Sequence, residues 1–284
     1  MKKENVRVKC GDDFELAATL YRPEKIAGAI MIAPATGIKK EFYNSFAVFL
    51  AAHNYGVVCF DNRGVGESVR GSINEIDASL VNWGRLDMPA VLDCLISEFP
   101  NQKYHIVGHS AGGQLVGLMH NAKVLSSMFN FACSSGCIRK MPFPFKFSAH
   151  FFLGFFISVS NFLFGRTQSQ WVGMGEPLPR KVGQQWRKWC YGKGYVETEF
   201  GDEVNSHLYD ELDMDSLWLY ATDDPIANLE NVKDMIRIFP KIKSKIVKLD
   251  PKAYCKKQIG HMGFFRSKNK ELWSMALEWF EDQA

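Results

Sequence analysis

The sequence predicts an α/β fold, a mostly parallel central sheet flanked by helices and interrupted once by a helical insertion. Three observations carry this. Short apolar runs of strand length alternate with stretches of helical period from residue 29 to residue 133. A Gly-x-Ser-x-Gly pattern, Gly108-His109-Ser110-Ala111-Gly112, stands directly between one such strand and one such helix. After a stretch without a clear strand, from Arg139 to about Glu211, the alternation resumes, so the sheet continues past an inserted segment. The 284 residues therefore divide into a core at 1–138, an insertion at 139–211 and the rest of the core at 212–284.

Taken in order, Val6-Arg7-Val8-Lys9 and residues 16–21 read as an antiparallel hairpin around the turn residues Gly11-Asp12-Asp13. Ala29-Ile30-Met31-Ile32-Ala33 is unbroken apolar sequence, the pattern of a central strand covered on both faces. Phe42, Phe46, Phe49 and Leu50 recur at helical spacing, and the helix ends near Asn54-Tyr55-Gly56. A second buried strand at 56–60 runs into a turn-rich loop, Asp61 to Ser68. The next helix spans 83–99, with Asp87 as N-cap, Pro89 in its first turn and Val91, Leu92, Leu95 and Ile96 on its apolar side. Then come the strand at 104–107, a helix at 114–119 and a strand at 128–133. Beyond the insertion the spacing predicts a strand at 216–221, a helix at 229–238, a strand at 245–249 and a closing helix carrying Leu272, Ala276, Trp279 and Phe280.

Composition narrows the function classes. A net charge of +3 is too small and dispersed for a nucleic-acid partner, and Lys39-Lys40 and Lys256-Lys257 read as solvated surface. No apolar stretch follows the charges of residues 1–5, so no secretory signal is expected. Seven cysteines, an odd number without C-x-x-C spacing, fit reduced thiols in a cytoplasmic protein. Cys133 and Cys137 lack a second pair at zinc spacing, so neither a metal nor a cofactor is expected.

Gly and Ser also mark ordinary turns, so the serine pattern needs partners elsewhere. A serine hydroxyl becomes a nucleophile only when exposed, near a base and near backbone donors. Between a strand and a helix, the small neighbours of Ser110 let the turn tighten and aim the helix's unpaired N–H groups at a reacting oxygen. A base belongs on a loop after the last strand, where the glycines of Gly260-His261-Met262-Gly263 fit. An orienting acid belongs after the strand ending at Ala221, where Thr222-Asp223-Asp224-Pro225 offers two carboxylates.

With these residues the chain resembles the α/β-hydrolase superfamily over essentially its full length. Gly108 to Gly112 is similar to its nucleophile elbow, Asp61 to Ser68 to its D-x-R-G-x-G-x-S loop, and Asp224-Pro225-Ile226 to its acid loop. The resemblance implies an α/β-hydrolase fold with Ser110 as nucleophile, Asp224 as acid in preference to Asp223, and His261 as base. Closest in character are serine aminopeptidase-like and monoglyceride-lipase-like members, among them a group of predicted hydrolases that shares Trp83 to Asp87 and Gly173 to Pro179. Two departures stand out. Pro34-Ala35 replaces the usual His-Gly pair, so counting back from Tyr43 and Ala47 assigns the first oxyanion donor to Thr36 N–H, with Ala111 N–H as the second. Ala221 replaces the glycine before the acid.

The insertion holds nine of the 22 phenylalanines within 143–164. The uncharged run at 147–164 reads first as a cap helix over the site, then as a membrane-surface contact, and last as a membrane span. Trp171, Trp186 and Trp189 belong to the same segment. The expected reaction is ester hydrolysis on a small molecule with an apolar group. Alternatives are an amide hydrolase in which Glu176 holds a substrate amine, a thioesterase, and a non-catalytic, membrane-associated binding module.

Overall fold

The computed structural model describes residues 1–254 and 257–283; Cys255 and Lys256 of the sequence reading lie outside the described residues. The chain forms β1 (Lys2–Lys9), β2 (Glu15–Arg22), β3 (Gly28–Ala33), β4 (Tyr55–Phe60), β5 (Tyr104–His109), β6 (Leu125–Phe131), the short β7 (Arg166–Thr167) and β8 (Leu178–Pro179), then β9 (Asp215–Ala221) and β10 (Lys243–Leu249). Eight of them make one sheet in the order β1-β2-β4-β3-β5-β6-β9-β10, while β7 and β8 pair separately. The hairpin strands β1 and β2 pair antiparallel, β2 runs antiparallel to β4, and every later neighbour is parallel.

Burial follows position in the sheet. Every residue of β3, β4 and β5 is buried, as expected of central parallel strands covered by helices on both faces. The two edges, β1 and β10, are largely exposed and rich in lysine, which discourages pairing with another chain's edge. Phe46, Ala47 and Leu50 of the helix Asn44–Ala52 enter the core, where the Phe46 ring meets Trp273 edge-on at 5.7 Å.

Several expected boundaries shift. The helix placed at 83–99 begins at Leu80, capped by Ser79, whose Oγ accepts the Asn82 N–H at 2.9 Å. Asp87 is not an N-cap: it lies inside the helix, fully buried, and its carboxylate holds Arg63 through Nε at 2.6 Å and through the backbone N at 2.8 Å. Pro89 cannot donate into the helix, and a π-helical turn, Trp83–Asp87, stands just before it. The helix after Ser110 is shorter than expected, Ala111–Gln114 followed by a 3-10 turn Val116–Leu118. Its glycines favour helix poorly, and the Tyr209 ring packs directly on Gly117. β6 starts three residues early because Ser127 is buried and hydrogen-bonded to His105 and Trp279. The segment without a clear strand holds the ribbon β7–β8, two residues a side and too short for any period to register. The six described cysteines are free thiols, all buried except the half-buried Cys94.

Candidate active site

Ser110 follows β5 at φ 49°, a region that residues with a side chain enter only under constraint. Backbone bonds hold it there: Ser110 N donates to Phe131 O at 3.1 Å, and Gly113 N donates to Ser110 O at 3.2 Å. The glycines are required by close approach. A Cβ on Gly112 would fall on the Ala33 carbonyl, and one on Gly113 would meet Asn130 Oδ1 and Cys133 Sγ. The turn is thus locked between β3 and β6, which raises the serine at the C-terminal end of the sheet.

His261 and Asp224 meet at 2.7 Å between Nδ1 and Oδ2. The other carboxylate oxygen of Asp224 accepts the N–H groups of Ile226 at 2.8 Å and Ala227 at 3.1 Å. Burial pushes the Asp224 carboxyl up, but the nearby imidazole and these donors outweigh it and hold its pKa below the usual carboxylate value. Asp223 has a different place: it accepts from Ile259 N at 3.0 Å and Gly260 N at 2.9 Å, tying down the loop that carries His261. Ser110 and His261 line one cavity of about 140 Å³ together with Ala35, Thr36, Gln114 and Met262. Among the described residues no hydrogen bond joins Ser110 Oγ to His261. Such contacts often tighten only when substrate is bound.

A second network, which the sequence reading missed, ties three loops together. His109 Nε2 lies 3.0 Å from the His261 carbonyl, which can only accept, so this nitrogen carries the proton. His109 Nδ1 therefore accepts from the Tyr43 hydroxyl at 2.8 Å, and the same hydroxyl accepts the Ala35 N–H at 2.9 Å. Burial, reinforced by His261, pushes the His109 pKa down to about 3, so the ring is neutral and this pattern is stable near neutral pH. With Ala35 N–H occupied, the next amide, Thr36 N–H, has no protein acceptor among the described residues, and neither does Ala111 N–H. The loop beyond Thr36 is anchored by Asp61, whose carboxylate accepts Lys40 N at 2.7 Å and Glu67 N at 2.9 Å. In a sequence, Tyr43 reads only as an apolar helix residue, so nothing signalled its hydroxyl.

The inserted segment contributes Met174, Trp186, Cys190 and Tyr195 to the Ser110 cavity. Met174, Trp186, Cys190 and Ile226 also line a larger groove of about 550 Å³, otherwise walled by Met141 and residues of 145–153 and Val172. No Lys, Arg, Asp or Glu lines either space among the described residues. The three insertion tryptophans part company. Trp189 is buried and donates to Glu199 Oε1 at 2.9 Å, Trp186 faces both spaces, and Trp171 is exposed. Glu176 lines neither; its carboxylate pairs with Lys39 at 3.2 Å.

Comparison with known proteins follows the same lines. The chain is similar in structure to an esterase from Exiguobacterium antarcticum, with 12% identity, 98% of this chain and 100% of that one covered, and a TM-score of 0.63. It is also similar to an esterase of Pyrococcus furiosus, with 13% identity, coverage of 99% and 91%, and a TM-score of 0.61. A third likeness is to DcsB, whose structure was solved in complex with its substrate analogue, with 15% identity, both chains fully covered and a TM-score of 0.63. At these identities the likeness is one of fold. No curated protein matches the sequence. The family model for the alpha/beta hydrolase family matches residues 31–254, from β3 to the segment after β10 and so most of the chain, and the protein belongs to that family.

Proposed function

We propose that the protein is a serine hydrolase that cleaves carboxylic esters bearing an apolar acyl group, through an acyl-enzyme on Ser110. The observation that carries this is the pairing of His261 with Asp224 beside Ser110 in a cavity that shares its wall with an uncharged groove. In this reading His261 Nε2 takes the Ser110 proton as Oγ attacks the acyl carbon, and Asp224 holds the imidazole tautomer and stabilises its cation. The N–H groups of Thr36 and Ala111 receive the oxyanion. The proton then passes from His261 to the leaving alcohol. A water deprotonated by the same imidazole releases the acid and restores Ser110. No cofactor enters these steps. The acyl chain occupies the groove, and the segment 139–211 acts as a cap over a core made by 1–138 and 212–284.

The rivals are weaker on specific grounds. An amide hydrolase recognising an amine needs an acid at the site, and Glu176, which lines neither space, is engaged by Lys39. A coenzyme A thioester calls for cations near the opening, and neither space has one among the described residues.

The test is hydrolysis of p-nitrophenyl esters from acetate to palmitate by wild type and Ser110→Ala, with folding checked and fluorophosphonate labelling in parallel. Ser110→Ala is expected to lose about 10⁴–10⁶ in kcat and all labelling. Each two-carbon extension that the groove accepts should raise kcat/KM roughly tenfold, from about 0.8 kcal/mol per buried methylene. A folded Ser110→Ala protein that turns over ester at the wild-type rate refutes the mechanism.

A further inference from the structure

The helical run Phe145–Phe164 is twenty residues of apolar sequence, long enough to cross a bilayer, yet it is built with two unlike faces. Ala149, Phe152, Leu153, Ile157, Ser160 and Asn161 recur at helical period and are buried. They pack on the helix Arg180–Tyr191, where the Phe152 ring meets Trp186 at 5.3 Å and Asn161 Nδ2 donates to Arg180 O at 3.2 Å. The opposite face carries Phe147, Phe151, Phe155, Val159 and Phe162, also at helical period, and all five are exposed, Phe162 to 84%. Phe164 and Trp171, paired edge-on at 5.1 Å, extend the same apolar surface. Single exposed hydrophobics are ordinary, but a continuous aromatic stripe marks a surface with a partner.

Charge identifies the partner. Of the eight Lys and Arg in residues 139–192, Lys140, Lys181 and Lys188 are paired with Asp234, Glu203 and Glu199, while Arg139, Lys146, Arg166, Arg180 and Arg187 have no ion pair among the described residues. Arg180 and Arg187 line a shallow hollow together with Phe162, beside the aromatic row. Lys146 and Arg166 stand at the two ends of the helix. A second copy of the chain would present the same cations and be repelled. We infer that this face docks on the surface of a bilayer containing anionic phospholipid, with the phenylalanine row in the interface and the cations among the headgroups. The helix lies on the membrane and does not span it, because its other face is committed to the protein. Phe147, Phe151 and Val172 belong both to the exposed surface and to the wall of the acyl groove, so the groove opens toward the lipid. Delivery of a lipidic ester along this route rests on the ester-hydrolase reading; the docking itself does not.

The experiment is co-sedimentation of the full chain with vesicles of phosphatidylcholine alone and with added phosphatidylglycerol. Wild type is compared with Phe155→Ser/Phe162→Ser and with Arg180→Glu/Arg187→Glu, residues that line neither the Ser110 cavity nor the groove. Wild type is expected to bind the anionic vesicles at least about tenfold more strongly than the neutral ones, and each double variant to lose at least about tenfold. High salt and alkaline washing should release it, and acetate-ester turnover should stay within about twofold of wild type in both variants. Equal binding to both vesicles, binding to neither, binding unchanged in the variants, or resistance to alkaline extraction overturns the proposal. So does self-association through this face in sedimentation velocity, abolished by Phe155→Ser/Phe162→Ser, without vesicle binding. Ester turnover and fluorophosphonate labelling are measured on the same wild-type sample, so wild type that docks on the anionic vesicles but neither turns over ester nor is labelled would sink the functional reading alone.

Discussion

Tyr43→Phe removes one oxygen atom and should be felt in two separate measurements. The hydroxyl is buried and has both partners, Ala35 N–H at 2.9 Å and His109 Nδ1 at 2.8 Å, and phenylalanine fills the same ring space without either bond. A donor and an acceptor are left facing an apolar wall. At about 1–3 kcal/mol for each orphaned buried group, the variant should lose roughly 2–5 kcal/mol of stability. Ala35 immediately precedes Thr36, whose N–H is assigned to the oxyanion, and complete loss of one such donor costs about 10²–10³ in kcat. A donor displaced but not removed should cost about 10- to 100-fold, with KM little changed, because the lost interaction is made only in the transition state. Urea unfolding followed by tryptophan fluorescence reads the first effect, and steady-state kinetics on a butyrate ester reads the second. Stability within about 0.5 kcal/mol of wild type would show that the orphaned groups find other partners. A kcat within about twofold would show that the Ala35–Thr36 loop holds its place without Tyr43.

Other substitutions separate neighbouring roles. Asp224→Asn should lower kcat by about 10⁴, because the amide favours the wrong imidazole tautomer, whereas Asp223→Asn, which only loosens the Ile259 and Gly260 amides, should cost about tenfold or less; equal losses would contradict the assignment. Gly112→Ala should fail to give soluble folded protein, since its Cβ has no space beside the Ala33 carbonyl, and a well-folded variant with a normal melting curve would contradict the packing. His109 supplies a pH test. Its folded pKa of about 3 lies below the ordinary 6.5, so the unfolded chain binds the proton first and this residue's contribution to stability is lost as pH falls from 6.5 toward 3. Between pH 7 and pH 5 the loss is about 2 kcal/mol, and His109→Asn should show a stability slope shallower by that amount in urea titrations at the two pH values. Parallel slopes would mean that His109 is protonated in the native state.

What could be read from the sequence, and what could not, divides along a physical line. The central strands were legible because burial on both faces forces an unbroken apolar run, as in Ala29 to Ala33, and the β1 edge because half-exposure forces alternation at Val6 to Lys9. Ser110, Asp224 and His261 could be singled out as candidates because a parallel sheet delivers the ends of β5, β9 and β10 to one side, so chain order and strand position already bring them near one another. Side chains whose partners come from distant turns left no such trace. Asp87 looks like a helix cap until Arg63 folds back on it, and Tyr43 looks like core until its hydroxyl meets Ala35 and His109. Ser127 disguised the start of β6 because its polar atoms are satisfied by His105 and Trp279, which lie 22 and 152 positions away in the chain. The phenylalanines of 143–164 were visible as composition, but only the packing of Phe152, Leu153 and Ile157 against the Arg180–Tyr191 helix separates the buried face from the exposed row. That division decides how the segment meets a membrane. A span would need all of these rings in lipid, whereas the proposed docking face needs only the outward row, and burial of the inward row against protein is compatible with the second arrangement and not with the first.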